Sequence, residues 1–275
     1  HNLLLEDGTF DDKFLVTPGD LPSGKTLEVL NKVYDYAVNN NLEDLNLKSL
    51  EHVIIETLKS VNLHQSLKTD VQRIEKVITD QSTAYYNFLM TKGTKTILDA
   101  ETLAKCKEYE SVMRNNNEVS KLFALDTWAR PEGLIVVNEQ MFKTDIDNSI
   151  FGLKGVPDNV VINPVEQTVS INDLKTTVKT VADFHESVEY YRYDIQAAIQ
   201  HLLIWAKYPE YRHFKWTFTF TVIDKYQQVY PFRVSDATLV KWMDNLNEVL
   251  GVAEYHYKNK RWGLPMKYDR GEVIL

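Results

Sequence analysis

The spacing of apolar residues changes once along this chain, near Gly133, and that change constrains the fold more than any other feature. Before it, apolar side chains recur at helical intervals from Thr26 to about Ala124. After it, short runs rich in Val, Ile, Phe and Thr alternate with polar residues, as strands do. The sequence therefore predicts a helical region followed by an α/β domain with a mixed central sheet.

The strand-rich half, residues 131–275, predicts the element order β-β-β-α-β-β-α. Pro157 and Asn159 are expected to bend or end the second strand, and the first helix is expected to break near Tyr190. The strands are expected at 133–144, 149–164, 167–177, 213–224 and 228–235, and the helices at 181–208 and 235–257.

The preceding residues, 1–130, are expected to form a mainly helical region packed on this core. Asp99 is a suitable N-cap for the last of its helices, and Asn115–Asn117 is a suitable stop. No strand is expected between Thr26 and Ala124. The helices are expected at 26–40, 49–61, 70–90 and 99–116.

The composition is that of an ordinary globular protein. Of 275 residues, 44% are hydrophobic and 25% are charged, and the single cysteine, Cys106, excludes an internal disulfide and a metal site built on several cysteines. No apolar run is long enough for a membrane span, and the first residues lack the basic segment of a signal peptide. We therefore expect a cytoplasmic protein and, because the chain does not begin with Met, a fragment of a longer one.

The net charge of −8 argues at first against a nucleic-acid partner. The first 60 residues carry most of the acidic excess, however. The stretch from Tyr255 onwards is basic, with Lys258, Lys260, Arg261, Lys267 and Arg270. An acidic total therefore does not exclude a local basic groove.

One motif suggests nucleotide binding. Gly19–Thr26 matches G-x-x-x-x-G-K-[ST], with Lys25 as the lysine. Such a loop wraps phosphates with backbone N–H groups and opens a helix. A P-loop ATPase also needs a parallel sheet of βαβ units after the motif, and mainly helical residues follow here. The sequence favours a surface turn that caps a helix, with an ATPase as the alternative.

The stretch from Gly155 to Lys175 carries the clearest chemical signal. Gly155-Val-Pro-Asp158 ends one predicted strand, and the Asp173-Leu-Lys175 segment ends the next. Because alternate residues of a strand share a face, Asp173 and Lys175 project together while Leu174 points into the core. A hairpin would bring Asp158 beside Asp173, and two close carboxylates require a cation between them. Oxygen ligands favour Mg²⁺ or Mn²⁺, the apparatus of metal-assisted phosphodiester hydrolysis.

The order of the residues strengthens this signal. An acid, Glu139, precedes the G-x-x-D segment on a strand, and a helix with Tyr193-Asp-Ile-Gln196 follows the D-L-K-T-T segment. This order resembles the PD-(D/E)XK nuclease superfamily, and within it the phage and RecE-type exonucleases related to the RecB nuclease domain. The resemblance covers roughly residues 131–235 and implies a restriction-endonuclease-like core, a mixed sheet flanked by helices.

The resemblance also implies roles for particular residues. Asp158 and Asp173 match the metal ligands of the family, Lys175 its catalytic lysine and Glu139 its upstream acid. The main-chain carbonyl of Leu174 is a further candidate ligand. For DNA contacts, the resemblance points to Gln196, the helix glutamine, and the residues favour Tyr193 and Thr176 as well. One departure is Gln200, where the family has a tyrosine; Tyr193, one turn before Gln196, is a partial substitute.

The first residues add to the resemblance. His1 through Phe14 look like the family's segment around a helix histidine, cut at that histidine. His1 is therefore a candidate additional metal ligand, with a residue left by an affinity tag as the alternative.

The leading hypothesis is a Mg²⁺-dependent deoxyribonuclease, with Mn²⁺ as a substitute, that acts as an exonuclease on double-stranded DNA ends. The resemblance implies phage or prophage recombination in a bacterial host cell, a single-strand annealing protein as partner and a homo-oligomer around DNA. Three alternatives stay open. They are a non-catalytic DNA-binding module of the same fold, a site-specific endonuclease, and the P-loop ATPase.

Overall fold

The computed structural model describes residues 1–6, 8–22, 24–42, 46–146 and 149–271. The chain divides into two units, one of His1–Asp7 with Glu108–Leu275 and the other of Gly8–Lys107. This division differs from the predicted boundary at residues 130/131, because residues 108–130 and the first residues group with the main sheet. The expected packing of the helical region on the core stays a prediction.

The helices and strands follow one another along the described chain with short connections. The helices are α1 (Asn2–Leu5), α2 (Phe10–Lys13), α3 (Gly24–Asn39), α4 (Glu51–Ser60), α5 (Asp70–Val77), α6 (Asp80–Met90), α7 (Ala100–Asn115), α8 (Asn117–Leu122), α9 (Phe184–Tyr190), α10 (Tyr193–Lys207), α11 (Asp236–Asn259) and α12 (Met266–Asp269). The strands are β1 (Phe14–Val16), β2 (Thr96–Leu98), β3 (Ile135–Asn138), β4 (Phe142–Asp145), β5 (Gly152–Gly155), β6 (Asn159–Asn163), β7 (Thr168–Thr177), β8 (Lys215–Asp224) and β9 (Val229–Val234).

The unit of residues 8–107 is a small helical domain around one apolar core. The buried faces of α3, α4 and α6 form that core, with Leu30, Ile54 and Tyr86 among its fully buried side chains. Two predictions are corrected here. The helix expected at 70–90 is two helices, because the Thr79 hydroxyl accepts from the Ser82 N–H and starts a new one. A strand that the sequence analysis did not expect, β2, pairs in parallel with β1.

The main sheet has five strands in the order β3-β6-β7-β8-β9. Strands β7 and β8 are parallel, and the other neighbours are antiparallel. The α/β class and the mixed central sheet are therefore confirmed. The predicted order of elements along the chain is not confirmed, because the runs 133–144 and 149–164 each form two strands. The first run is interrupted after β3 at Glu139, which has a φ of +47°, and the second run is interrupted at Pro157, between β5 and β6.

Helix α10 packs its apolar side on one face of this sheet. Its residues Ala197, Ala198 and Ile204 are fully buried against apolar residues of β6, β7 and β8. At Gly155, the last residue of β5, an added Cβ would lie 2.9 Å from the Leu203 side chain, so the close approach of β5 to α10 favours glycine. A second core, with Leu5, Met113, Phe123, Leu174 and Ile223, covers the other side of β7.

The helical predictions in this unit are confirmed. The run 181–208 breaks where expected, after Tyr190, because Arg192 adopts a left-handed backbone with a φ of +56° before α10 begins. Helix α11 matches the last predicted helix. Among the described residues, no helix has both the length and the apolar character needed to cross a bilayer.

We expect His201 to make the stability of this unit depend on pH. It lies buried in α10 with ring centroids 5.8 Å from Trp205 and 5.2 Å from Trp216, and burial lowers its pKa from 6.5 to about 4. Between these values the unfolded chain binds the extra proton, so stability is complete above pH 6.5 and falls as the pH drops towards 4. The loss attributable to His201 would approach roughly 3 kcal/mol.

The test compares wild type with His201→Phe by denaturant unfolding at pH 7 and pH 5. All five tryptophans lie in residues 128–262, so their fluorescence follows this unit alone. The variant should lose less stability than wild type on acidification. Equal losses in the two proteins would contradict the assignment.

Candidate active site

The hairpin of β6 and β7 places two carboxylates side by side. Asn159 pairs with Asn172, so Asp158 and Asp173 stand next to each other just beyond that pair. The Leu174 N–H donates to Asp158 Oδ2 at 2.6 Å, and both aspartates are buried. The predicted hairpin is thus confirmed. The positions within it differ from the prediction, because Asp158 precedes β6 and Asp173 lies within β7.

Asp173 is the centre of a polar network that reaches to α10. Lys175, on the same face of β7, forms an ion pair with Asp173 Oδ1 and donates to Gln196 Oε1 at 3.1 Å. Gln196 Nε2 donates to Asp173 Oδ2 at 2.8 Å, and Gln200 Nε2 donates to the same oxygen at 3.3 Å. The Lys175 ammonium also lies 4.6 Å from the centre of the Tyr193 ring. Lysine, aspartate and glutamine thus hold one another in place.

His1 and Glu139 complete the cluster on the Asp158 side. His1 Nδ1 donates to Glu139 Oε1 at 2.9 Å and lies 3.5 Å from Asp158 Oδ1, and its Nε2 donates to the Leu174 carbonyl at 3.2 Å. Glu139 was expected on a strand. It lies instead directly after β3, in a left-handed conformation. Its N–H donates to the Asp158 carbonyl at 3.1 Å.

The charges in this cluster perturb one another. Burial, with a smaller contribution from Asp173, raises the pKa of Asp158 from 3.8 to about 7. Burial also raises the pKa of Asp173. The hydrogen bond to Glu139 raises the pKa of His1 to about 9, against the effect of burial. Two adjacent carboxylates with raised pKa values mark a place where a bound cation would be favourable.

The donor atoms fit a divalent metal ion. One ligand atom from each of His1, Glu139 and Asp158 lies within 4.8 Å of the others, and the Leu174 carbonyl contacts the same imidazole. Oxygen atoms dominate this set and no thiolate takes part, which suits Mg²⁺ and Mn²⁺; the imidazole shifts the balance towards Mn²⁺. Asp173 differs from the other expected ligands, because its oxygens contact Lys175 and two glutamines.

Of two other predicted positions, Thr176 lies in the same unit as this cluster and Lys25 in the unit of residues 8–107. Thr176 is exposed and belongs to the Leu174 face of β7, opposite Asp173 and Lys175, so the structure does not bring it to the carboxylates. In the P-loop-like segment, Lys25 donates to the Val61 carbonyl at 3.0 Å. Ser23 of that segment lies outside the described residues. A contribution of Thr176 to DNA binding stays a prediction.

A row of three asparagines beside the site was not predicted from the sequence. Asn138, Asn159 and Asn172 stand opposite one another on β3, β6 and β7, one residue before or after Glu139, Asp158 and Asp173. Asn159 donates to Asn138 Oδ1 at 2.8 Å, and Asn172 donates to Asn159 Oδ1 at 2.7 Å. Only strand register reveals such a row. Gln200 was also missed as a site residue, although its spacing of four from Gln196 was a usable signal.

This asparagine ladder binds the elements around the site to the sheet. Asn138 donates to the Leu5 carbonyl at 2.7 Å, at the end of the helix that follows His1. Asn159 donates to the Phe123 carbonyl at 3.1 Å and Asn172 to the Leu122 carbonyl at 2.9 Å, at the end of α8. The ladder therefore satisfies helix-end carbonyls that would otherwise be buried without donors.

Two solved structures share a distant likeness with this chain. One, from Eubacterium rectale and provisionally designated an exonuclease, is 12% identical, with a TM-score of 0.34 over 92% of this chain and 76% of that one. The other, SSO0001, is 12% identical, with a TM-score of 0.30 over 82% and 87% of the two chains. Neither likeness is close enough to carry an argument. No family model matches the chain, and no curated protein sequence matches it.

We expect Asn159→Ala to destabilise the sheet-containing unit by about 3 kcal/mol, because it leaves the Phe123 carbonyl without its donor and removes one hydrogen bond each from the Asn138 and Asn172 amides. Asn163→Ala, at the other end of β6, removes turn bonds to two exposed N–H groups and should cost about 1 kcal/mol. Denaturant unfolding followed by tryptophan fluorescence measures both. Equal costs would show that the ladder adds nothing beyond a local turn.

Metal binding at the cluster should strengthen as the pH rises from 6 to 9. Asp158 and His1 hold protons with pKa values of about 7 and 9 and must release them to become ligands. Affinity for Mn²⁺ should rise by roughly tenfold per pH unit while one proton is displaced. Calorimetry in buffers of different ionisation enthalpy counts the protons released. His1→Ala should bind Mn²⁺ more weakly and lose the upper part of the pH dependence. A flat profile in wild type would refute this site.

Proposed function

We propose that this chain is a metal-dependent nuclease that hydrolyses phosphodiester bonds at the ends of DNA. One observation carries the proposal. Asp158 and Asp173 are buried side by side, a lysine and a glutamine are bonded to one of them, and an imidazole and a further carboxylate stand at the other. A site with paired carboxylates would repel a polyanion unless it held metal ions, so a purely DNA-binding role accounts for it poorly.

Asp158, Glu139, His1 and the Leu174 carbonyl would hold the metal ion, with Mg²⁺ or Mn²⁺ as the candidates. When bound, such an ion supplies charge neutralisation at the phosphate and lowers the pKa of a ligated water. The chain contributes the placement of these donors. Asp158 is oriented by the Leu174 N–H, and Glu139 by the bond from its own N–H to the Asp158 carbonyl.

Lys175 would act on the phosphate and the attacking water. Its ammonium has donors only, and it is held between Asp173 and Gln196 above the Tyr193 ring. From that position it can orient a water molecule and stabilise the negative charge that develops on the phosphate oxygens. Gln196 and Gln200 fix the Asp173 carboxylate, so the lysine keeps one orientation.

The family resemblance adds a cellular role, a substrate preference, a partner and an oligomeric state to the proposal. It favours a phage or prophage recombination enzyme in the bacterial cytoplasm, a preference for double-stranded ends, a single-strand annealing protein as partner, and a ring-shaped homo-oligomer. These parts depend on the motif residues alone and are proposed on that basis.

The decisive experiment follows end-labelled linear duplex and covalently closed circles with Mg²⁺, with Mn²⁺ and with EDTA. Wild type is expected to degrade only the linear duplex, and only with metal. Asp173→Asn keeps the shape of the side chain but removes the charge paired with Lys175, so cleavage should fall by roughly a thousandfold or more. Glu166→Gln, at an exposed acid in the turn between β6 and β7, is the matched control and should cleave normally.

Each outcome separates one reading from the others. Unchanged cleavage by Asp173→Asn would disprove the proposed site. Cutting of closed circles would indicate an endonuclease of the same chemistry. Metal-independent DNA binding without cleavage by wild type would favour the non-catalytic module.

A further inference from the structure

The junction of α9 and α10 exposes two large aromatic side chains. Tyr190 is 79% exposed and Tyr191 is 61% exposed, and their rings meet edge to face with centroids 4.8 Å apart. The left-handed backbone of Arg192 ends the α9 segment just after them and starts α10 in a new direction. The pair therefore stands on a fixed corner of the chain.

These rings are continuous with the candidate active site. Tyr191 stacks on Tyr193, with centroids 5.6 Å apart and an interplanar angle of 24°, and the Lys175 ammonium lies over the Tyr193 ring. We call Tyr190, Tyr191 and Tyr193 the tyrosine platform. It leads in two ring contacts from the proposed catalytic lysine to the solvent.

The inner end of the platform is held rigidly. Tyr193 packs against Phe184, with centroids 6.0 Å apart, and against Phe220, with centroids 5.9 Å apart. Both phenylalanines are buried in the core under α10. The outer rings thus rest on a preorganised base, which reduces the entropy lost when a flat ligand stacks on them.

Nearby charges do not oppose an anionic ligand as strongly as the sequence suggests. Two of the acids near the platform are paired, since Lys179 donates to Glu186 at 2.6 Å and Arg192 donates to Asp194 at 3.1 Å, whereas Glu189, next to Tyr190, is exposed. Lys175 supplies a positive charge at the inner end. An aromatic surface with a cation at one end matches a nucleotide, with its flat base and its phosphate.

We propose that the tyrosine platform stacks the base of an unpaired nucleotide beside the scissile phosphate, so that the site takes the frayed end of a duplex in preference to its fully paired interior. In a duplex each base face is covered by its neighbours, and only an end or an unpaired nucleotide presents a free face. This inference rests on the proposed nuclease function, because it is that function which places a phosphate at Lys175.

The test measures binding apart from cleavage. Fluorescence anisotropy with Ca²⁺ in place of Mg²⁺, an ion that also takes oxygen ligands, compares a single-stranded oligonucleotide, a duplex with a short unpaired end and a small covalently closed duplex circle. Tyr191→Ala should weaken binding of the first two by roughly ten- to a hundredfold and leave binding of the closed circle unchanged. Tyr191→Phe keeps the ring and should stay within about twofold of wild type. Tyr268→Ala, at a tyrosine of α12 that is 49% exposed, is the control for surface tyrosines.

The outcomes distinguish this inference from the proposed function. If Tyr191→Ala binds all three substrates as wild type does, or loses all three equally, the platform does not stack unpaired bases, whether or not the protein cleaves DNA. If Tyr191→Ala loses the unpaired substrates while wild type shows no metal-dependent cleavage, the platform stands and the nuclease proposal fails. If wild type binds none of the substrates, both fail, and a protein partner becomes the better occupant of the exposed rings.

Discussion

Two carboxylates buried side by side, those of Asp158 and Asp173, are the constraint on which the surrounding structure depends. Removal from water and mutual repulsion both disfavour their charged forms. The compensating donors come from three separate elements. The Leu174 N–H and the His1 imidazole serve Asp158, while Lys175, Gln196 and Gln200 serve Asp173. A pair that needs so many partners is costly for stability alone, and such costs are typical of sites retained for chemistry.

The neutral row next to these acids makes their geometry possible. Because side chains alternate along a strand, the Asn159–Asn172 pair points to the opposite face from its neighbouring acids. There it bonds the backbone at the end of α8, and Asn138 bonds the end of the helix that begins beside His1. The asparagine ladder and the acids of the candidate site thus occupy neighbouring positions at the same end of the sheet. The position of the His1 imidazole depends on both, through the bond from Asn138 to Leu5 and the bond from His1 to Glu139.

The elements that carry the site could be predicted because their patterns are local. Strand β7 and the helical run of α9 and α10, with its break near Tyr190, were expected from the spacing of residues along the chain. The division of 133–144 could not be predicted, since the left-handed turn at Glu139 is held by a bond to Asp158, 19 residues away in sequence. The pairing of β1 with β2, from opposite ends of the small unit, is equally invisible to local reading.

The sequence by itself determined the residue types and their order: an acid, then Gly155 and Asp158, then Asp173 and Lys175, then Gln196 on a helix. The spacing of apolar residues predicted the α/β fold, and the order of the polar residues led to the hydrolytic hypothesis, because alternation along a strand puts Asp173 and Lys175 on one face. Only the tertiary structure decided which groups meet. Strand register set Asp158 against Asp173, α10 brought Gln200 to the same carboxylate, and α1 brought His1 to Glu139. These contacts join residues far apart in the chain, and packing and hydrogen bonding between elements, not local preference, select them.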